Sequence, residues 1–165
     1  MSLDDLRIGL LNAFLAIGIG VGSVTAGYLS GEKVELRLTP LGSLGMGLFS
    51  LLLAWSTFSY ALVALALTLL GFSGGLFIVP LNASLQQQSG QEEKGRLLAT
   101  NNFLNTIGIL SASGVLWLLH DQLHMRADHI IGIFGVCTLA ATGFVVRTMQ
   151  QKGKTREQQQ MRHSP

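Results

Sequence analysis

Charged residues divide this chain into long apolar stretches. No Asp, Glu, Lys or Arg occurs in residues 8–31, 38–91, 97–120 or 129–146, which are stretches of 24, 54, 24 and 18 residues. A helix needs about 20 apolar residues, at 1.5 Å each, to cross the hydrocarbon core of a bilayer. The pattern therefore predicts membrane-spanning helices that are separated by short charged loops.

The longest apolar stretch is too long for one span, because a single helix of that length would extend roughly 80 Å. Its least apolar part, residues 55–60, is rich in aromatic and hydroxyl side chains, which suit a membrane–water interface. We place a turn there. The chain is thus predicted to be an all-α membrane protein with five spans, at residues 8–31, 40–55, 59–85, 97–119 and 129–146.

The composition agrees with this prediction and excludes other classes. Charged residues make up 12% of the chain and hydrophobic residues 48%, whereas soluble domains carry about 25% charged residues. Nucleic-acid binding is not expected, because the aromatic residues lie in the apolar stretches rather than in a basic patch. Cys137 is the single cysteine, which excludes an intramolecular disulfide and a thiolate cluster. We expect no cofactor.

Histidines cluster in the loop before the fifth span. His120 and His124 have the i,i+4 spacing that could grip a metal, and His129 follows them. The loop contains no set of carboxylates in a pocket, and histidines are common at membrane interfaces. We therefore expect neither a metal site nor an enzyme.

The basic residues indicate an orientation. With five spans, one face of the membrane carries only Arg7 and Arg126, and the other carries Lys33, Arg37, Lys94, Arg96, Arg147, Lys152, Lys154, Arg156 and Arg162. Basic residues are concentrated on the cytoplasmic side of membrane proteins. The N-terminus is therefore predicted to lie outside and the C-terminus in the cytoplasm.

Small residues recur at spacings that favour close helix packing. Helices in lipid associate through such residues, because little hydrophobic driving force acts between them. Helix packing is predicted for Gly18, Gly22, Gly27, Gly74 and Gly75.

Amide side chains are concentrated in three of the spans. Asn101 and Asn105 share one face of the fourth helix, Asn82 lies in the third and Asn12 in the first. The second and fifth helices offer only small hydroxyls. Because a buried amide is costly in lipid, helices one, three and four are predicted to line a substrate pathway, and two and five to face lipid. The alternative is that these amides only hold helices together.

Three stretches resemble the C-terminal half of a major facilitator superfamily transporter. They are residues 20–31, residues 40–43, and residues 71–88 with their continuation through 93–96 and 99–105. The pattern is most similar to the lysophospholipid transporter family, whose members also occur fused to glycerophospholipid acyltransferases. The resemblance implies that the five spans correspond to helices 8–12 of a twelve-helix fold in the bacterial inner membrane. Helices eight, ten and eleven of that fold line the central cavity.

The resemblance also implies two cytoplasmic gate loops. In the first, Gly31 occupies the position of the family's usual aspartate, which leaves any charge relay to Glu32, Lys33, Glu35 and Arg37. The second loop contains Glu93, Lys94 and Arg96. A charged turn exposed to solvent is the alternative reading of this second loop.

Five helices are fewer than the family's twelve. We predict that residues 1–147 form a partial transmembrane bundle and that residues 148–165 form a disordered polar tail. The expected partners are membrane lipids, the missing N-terminal half (from the same gene product or a separate chain) and a phospholipid acyltransferase. Two alternatives are a truncated or small membrane scaffold without transport, and a general efflux transporter. All carboxylates lie outside the predicted spans, which disfavours proton-coupled efflux.

Overall fold

Five long helices make up nearly all of the chain that the structure describes. The computed structural model describes residues 4–30, 38–56, 59–87 and 94–162, the last fourteen as backbone. The helices are α1 (Asp5–Ser30), α2 (Leu38–Trp55), α3 (Tyr60–Gln87), α4 (Lys94–Trp117) and α5 (Ala127–Arg162), and a π-helical turn, Leu118–Gln122, extends α4.

All five helices are long and apolar enough to cross a membrane. Each begins within three residues of its predicted start. The prediction of an all-α protein with five spans is therefore confirmed for the described residues, and the longest apolar stretch forms two helices, α2 and α3, that pack against each other.

Helix α3 occupies the centre of the bundle. It packs against α1 on one side and α2 on another, and α2 also packs against α5. The packed helices are therefore ordered α1, α3, α2, α5. Helix α4 makes only slight contact with α3, and none of its residues is buried.

Glycines from both helices form the contact between α1 and α3. Gly18 and Gly22 of α1 lie against the main chain at Thr68 and Phe72, while Gly71 of α3 lies against the Leu15 carbonyl. A Cβ atom at Gly75 would lie 2.5 Å from the backbone nitrogen of Ser23 and 2.7 Å from the Ile19 carbonyl oxygen. The two backbones thus touch with no side chain between them, as small-residue packing in membranes requires.

Two of the glycines that the sequence predicts to pack make no such close contact among the described residues. A Cβ at Gly27 or Gly74 would meet no atom within 4 Å in the described part of the chain. Each is adjacent in sequence to a buried residue, Ala26 for Gly27 and Gly75 for Gly74, and is rotated from it by about 100° around the helix. The packing role of Gly27 and Gly74 therefore stays a prediction, whereas Gly71 and Gly75 of α3 both lie against the α1 backbone.

Helix α2 uses different glycines for its two neighbours. A Cβ at Gly42 would lie 2.6 Å from the backbone nitrogen of Phe77 in α3, and one at Gly47 would lie 2.5 Å from Leu139 of α5. A third face exposes Leu41, Leu44, Leu48 and Leu52 at helical spacing. Helix α2 therefore presents one apolar stripe outward and is covered on two other sides.

Helix α5 continues well beyond its apolar part. The backbone is helical through Arg162, whereas the sequence predicts a disordered tail from residue 148. Gln, Lys, Arg and Glu are good helix formers, and an existing helix extends without a new nucleation cost. The structure thus differs from the predicted disorder over residues 148–162, while the division into two domains stays a prediction.

Candidate functional site

A crevice between the end of α3 and the start of α4 combines charge, amide and apolar groups. Its volume is about 240 Å³. It is lined by Leu85 of α3 and by Arg96, Leu97, Thr100, Asn101 and Leu104 of α4. The α4 residues follow one another at helical spacing along a single face. We call this site the α3–α4 crevice.

The polar groups of the crevice are arranged by the first turns of α4. The Thr100 hydroxyl donates a hydrogen bond to the Arg96 carbonyl over 2.9 Å. The Asn101 side chain is half-buried, and its amide makes no hydrogen bond to any residue that the structure describes. An amide in this position can donate to or accept from a bound polar group.

The structure separates the four predicted pathway amides. Asn82 lies one turn before Leu85 on α3, and Asn105 lies one turn further along α4 than Asn101. These three therefore belong to the same region of the bundle. Asn12 does not.

Asn12 lies near the opposite end of the bundle, where its amide donates to the Ile8 carbonyl of its own helix over 3.2 Å. The same end is marked by the Tyr60 hydroxyl, which donates to the Arg7 carbonyl over 3.4 Å. Because Gly18 contacts Thr68, helical rise places Asn12 roughly 30 Å along the bundle from Asn82. Asn12 and Asn82 therefore cannot contact one small polar group together.

Most of the predicted gate residues lie outside the described residues. This applies to Glu32, Lys33, Glu35, Arg37 and Glu93. Lys94 begins α4 and is half-buried, while Arg96 is exposed and lines the α3–α4 crevice. Arg96 thus connects the predicted gate loop with the predicted pathway.

A second crevice lies between α2, α3 and α5 and was not predicted from the sequence. It measures about 440 Å³ and carries the hydroxyls of Thr39, Ser43, Thr138 and Thr142. Three of these donate to carbonyls of their own helices, whereas the buried Thr39 hydroxyl has no partner among the described residues. The i,i+4 spacing of hydroxyl residues on α2 and α5 is the sequence feature that could have predicted this crevice. The sequence analysis instead assigns both helices to the lipid-facing surface.

The histidine-rich loop has a local structural role. His120 Nδ1 lies 3.3 Å from the Met125 carbonyl oxygen, and His124 adopts a left-handed backbone conformation with φ of 51°. These features reverse the chain between α4 and α5. In the described part of the chain, no three His, Cys, Asp or Glu side chains are grouped closely enough to hold a metal ion.

Five apolar helices and a packing based on glycine define a multi-pass membrane protein. A sequence model of the Major Facilitator Superfamily matches residues 1–113. The chain belongs to this superfamily, and the family resemblance found in the sequence is confirmed.

Several bacterial proteins are similar to this chain. The lysophospholipid transporter LplT of Yersinia enterocolitica is 35% identical over 116 residues, which cover 68% of this chain and 28% of that protein. The LplT of Photorhabdus laumondii is 35% identical over 113 residues, with the same two coverages. The LplT of Yersinia pestis is 33% identical over 113 residues, which cover 27% of its length. The chain thus spans less than a third of these relatives. No solved structure matches it.

Proposed function

We propose that this chain is a portion of a transporter that moves lysophospholipids across the bacterial inner membrane. The observation that carries the proposal is the α3–α4 crevice, in which Arg96 and Asn101 adjoin leucine side chains. The names of the similar transporters support the same substrate class.

The chemistry of the crevice suits a lipid with one acyl chain. Arginine binds phosphate through paired charge-assisted hydrogen bonds, so Arg96 would hold the phosphate of the headgroup. The Asn101 amide would bind headgroup oxygens. Asn82 and Asn105 would contact the headgroup before it enters the crevice and after it leaves. Leu97 and Leu104 would contact the acyl chain.

The proposed orientation places the α3–α4 crevice at the cytoplasmic side. Nine basic residues at that side, against two at the other, support an external N-terminus and a cytoplasmic C-terminus. In this arrangement the five helices correspond to helices 8–12 of the transporter. Arg96 then lies where the headgroup enters or leaves the cytoplasmic leaflet.

The remaining helices of the transporter would come from its other half, in the same gene product or in a separate chain. The exposure of α4 supports this, because none of its residues is buried by the described helices. The chain itself is proposed to be non-enzymatic. A phospholipid acyltransferase would consume the lysophospholipid that the transporter delivers.

Substitution of the amides in a complete transporter tests the proposal. Asn101→Leu and Asn105→Leu together are expected to reduce lysophospholipid uptake into cells at least tenfold. Asn102→Leu is the matched control, because Asn102 is an exposed amide of α4 that does not line the crevice. Unchanged uptake in the double variant would remove the amides from the pathway.

A small scaffold protein without transport activity is the second candidate. It is favoured by the close packing of α1, α3, α2 and α5, which needs no contribution from α4. The mass of the native product distinguishes the two. A product of 17.7 kDa that co-purifies with no other transporter segment would support the scaffold.

A further inference from the structure

A second surface feature lies between the C-terminal half of α2 and the N-terminal half of α5. It is an open groove of about 910 Å³ with apolar walls that include Leu51, Ile133 and Val136. Its floor is shallow at Gly132, where a Cβ atom would lie 3.7 Å from the Ala54 Cβ. We call it the α2–α5 groove. It lies at the end of the bundle opposite the α3–α4 crevice.

The rim of the groove is polar and carries both signs of charge. Arg126 Nη2 lies 3.1 Å from Asp128 Oδ2, and the Asp128 side chain is 19% exposed whereas that of Arg126 is 72% exposed. His129 follows Asp128 and also lines the groove. Trp55, 85% exposed, stands at the same rim, and tryptophan is enriched at the level of lipid headgroups.

The groove has the length of one membrane leaflet. Asp128 at the rim and Cys137 at the far end are nine residues apart on α5, which corresponds to about 14 Å of helix. Half of the bilayer hydrocarbon core is about 15 Å. An acyl chain anchored at the rim would therefore follow the groove to the bilayer midplane.

From these observations we propose that the α2–α5 groove binds one zwitterionic phospholipid with an ammonium headgroup. The ammonium group pairs with the carboxylate of Asp128, and the phosphate pairs with Arg126 and His129. One acyl chain lies along Leu51 and Val136. This site is separate from the α3–α4 crevice and does not depend on the proposed transport function.

Fluorescence quenching of Trp55 tests the proposal directly. The chain has two tryptophans, so Trp117→Phe leaves Trp55 as the only one. This variant is reconstituted into bilayers that contain increasing fractions of a phospholipid with brominated acyl chains. We expect half-maximal quenching at a threefold or more lower fraction of brominated phosphatidylethanolamine than of brominated phosphatidylglycerol. Equal quenching by the two lipids would overturn the proposal.

Two substitutions locate the bound lipid. Gly132→Phe fills the groove and is expected to abolish the preference, whereas Gly143→Phe adds the same ring on α5 where a Cβ meets no described atom within 4 Å, and is expected to retain it. Asp128→Asn removes the partner of the ammonium group and is expected to bring the two lipids within twofold of each other. Asp128→Asn tests the proposed headgroup pairing even if Gly132→Phe does not fold. A preference that survives Asp128→Asn would overturn the assignment of the headgroup.

Discussion

Gly22 of α1 lies directly against the main chain of Phe72 in α3, so that even a methyl group at position 22 would overlap the Phe72 carbonyl. The arrangement is reciprocal, because Gly75 of α3 also lies against the α1 backbone at Ser23. Such contacts bring Cα hydrogens against carbonyl oxygens and replace the hydrophobic effect as the source of helix association in lipid.

Adjacent glycines of α3 should respond differently to the same substitution. Gly75→Val is expected to lower the free energy of unfolding by about 2 kcal/mol or more, because the side chain would force α1 and α3 apart. Gly74→Val is the matched control, since a Cβ at Gly74 meets no described atom within 4 Å, and it should change stability by less than about 1 kcal/mol. Unfolding in mixed micelles, followed by helical circular dichroism, measures both. Equal losses would contradict the assigned α1–α3 contact.

Arg96 should bind the anionic part of the substrate. In a complete transporter, Arg96→Gln is expected to weaken lysophospholipid binding about tenfold, which equals about 1.4 kcal/mol and lies near the lower range for a charge-assisted hydrogen bond. Arg96→Lys should recover part of the affinity, because lysine keeps the charge but not the paired geometry.

A binding titration with lysophosphatidylglycerol measures this effect, and Lys94→Gln serves as the control. Lys94 lies in the same first turn of α4 as Arg96 but does not line the crevice. A larger loss in Lys94→Gln than in Arg96→Gln would indicate that the crevice is not the phosphate site.

The orientation can be tested with two reporter fusions. Alkaline phosphatase fused after His124 should be active, because this loop is predicted to lie outside the cytoplasm. The same enzyme fused after Gly90 should be inactive, and a green fluorescent protein fused there should fluoresce. The positive-inside distribution of basic residues is the physical reason. The reverse result at both positions would invert the proposed topology and place Arg96 outside.

Substitutions at two nearby positions of α5 should distinguish its packed face from its exposed face. Gly135→Val is expected to cost about 1–3 kcal/mol, because a Cβ there would already lie 3.1 Å from the Ser50 Cβ of α2. Cys137→Val should change stability by less than about 1 kcal/mol, since the Cys137 side chain is exposed. The same unfolding measurement compares them. A greater loss at position 137 would contradict the packing of α2 against α5.

Much of the candidate site was visible in the sequence. The placement of Arg96 and Asn101 near each other follows from their spacing on one helix, because residues five apart lie within two turns. The position of Leu85 beside them does not, because it depends on how α3 and α4 meet. The separation of Asn12 from Asn82 could not be predicted either, since it depends on the register of α1 against α3, which the glycine contacts set.

The sequence by itself determined the number and approximate limits of the spans. The free energy of placing a charge in hydrocarbon confines Asp, Glu, Lys and Arg to the ends of apolar stretches, and the interfacial side chains of residues 55–60 divide the longest stretch in two. Only the tertiary structure decided which helices touch. Neighbouring glycines such as Gly74 and Gly75 are equivalent in a sequence pattern, yet a rotation of about 100° leaves one without a contact among the described residues and places the other against a partner backbone. That rotation is set by close packing between helices distant in sequence, and no local pattern encodes it.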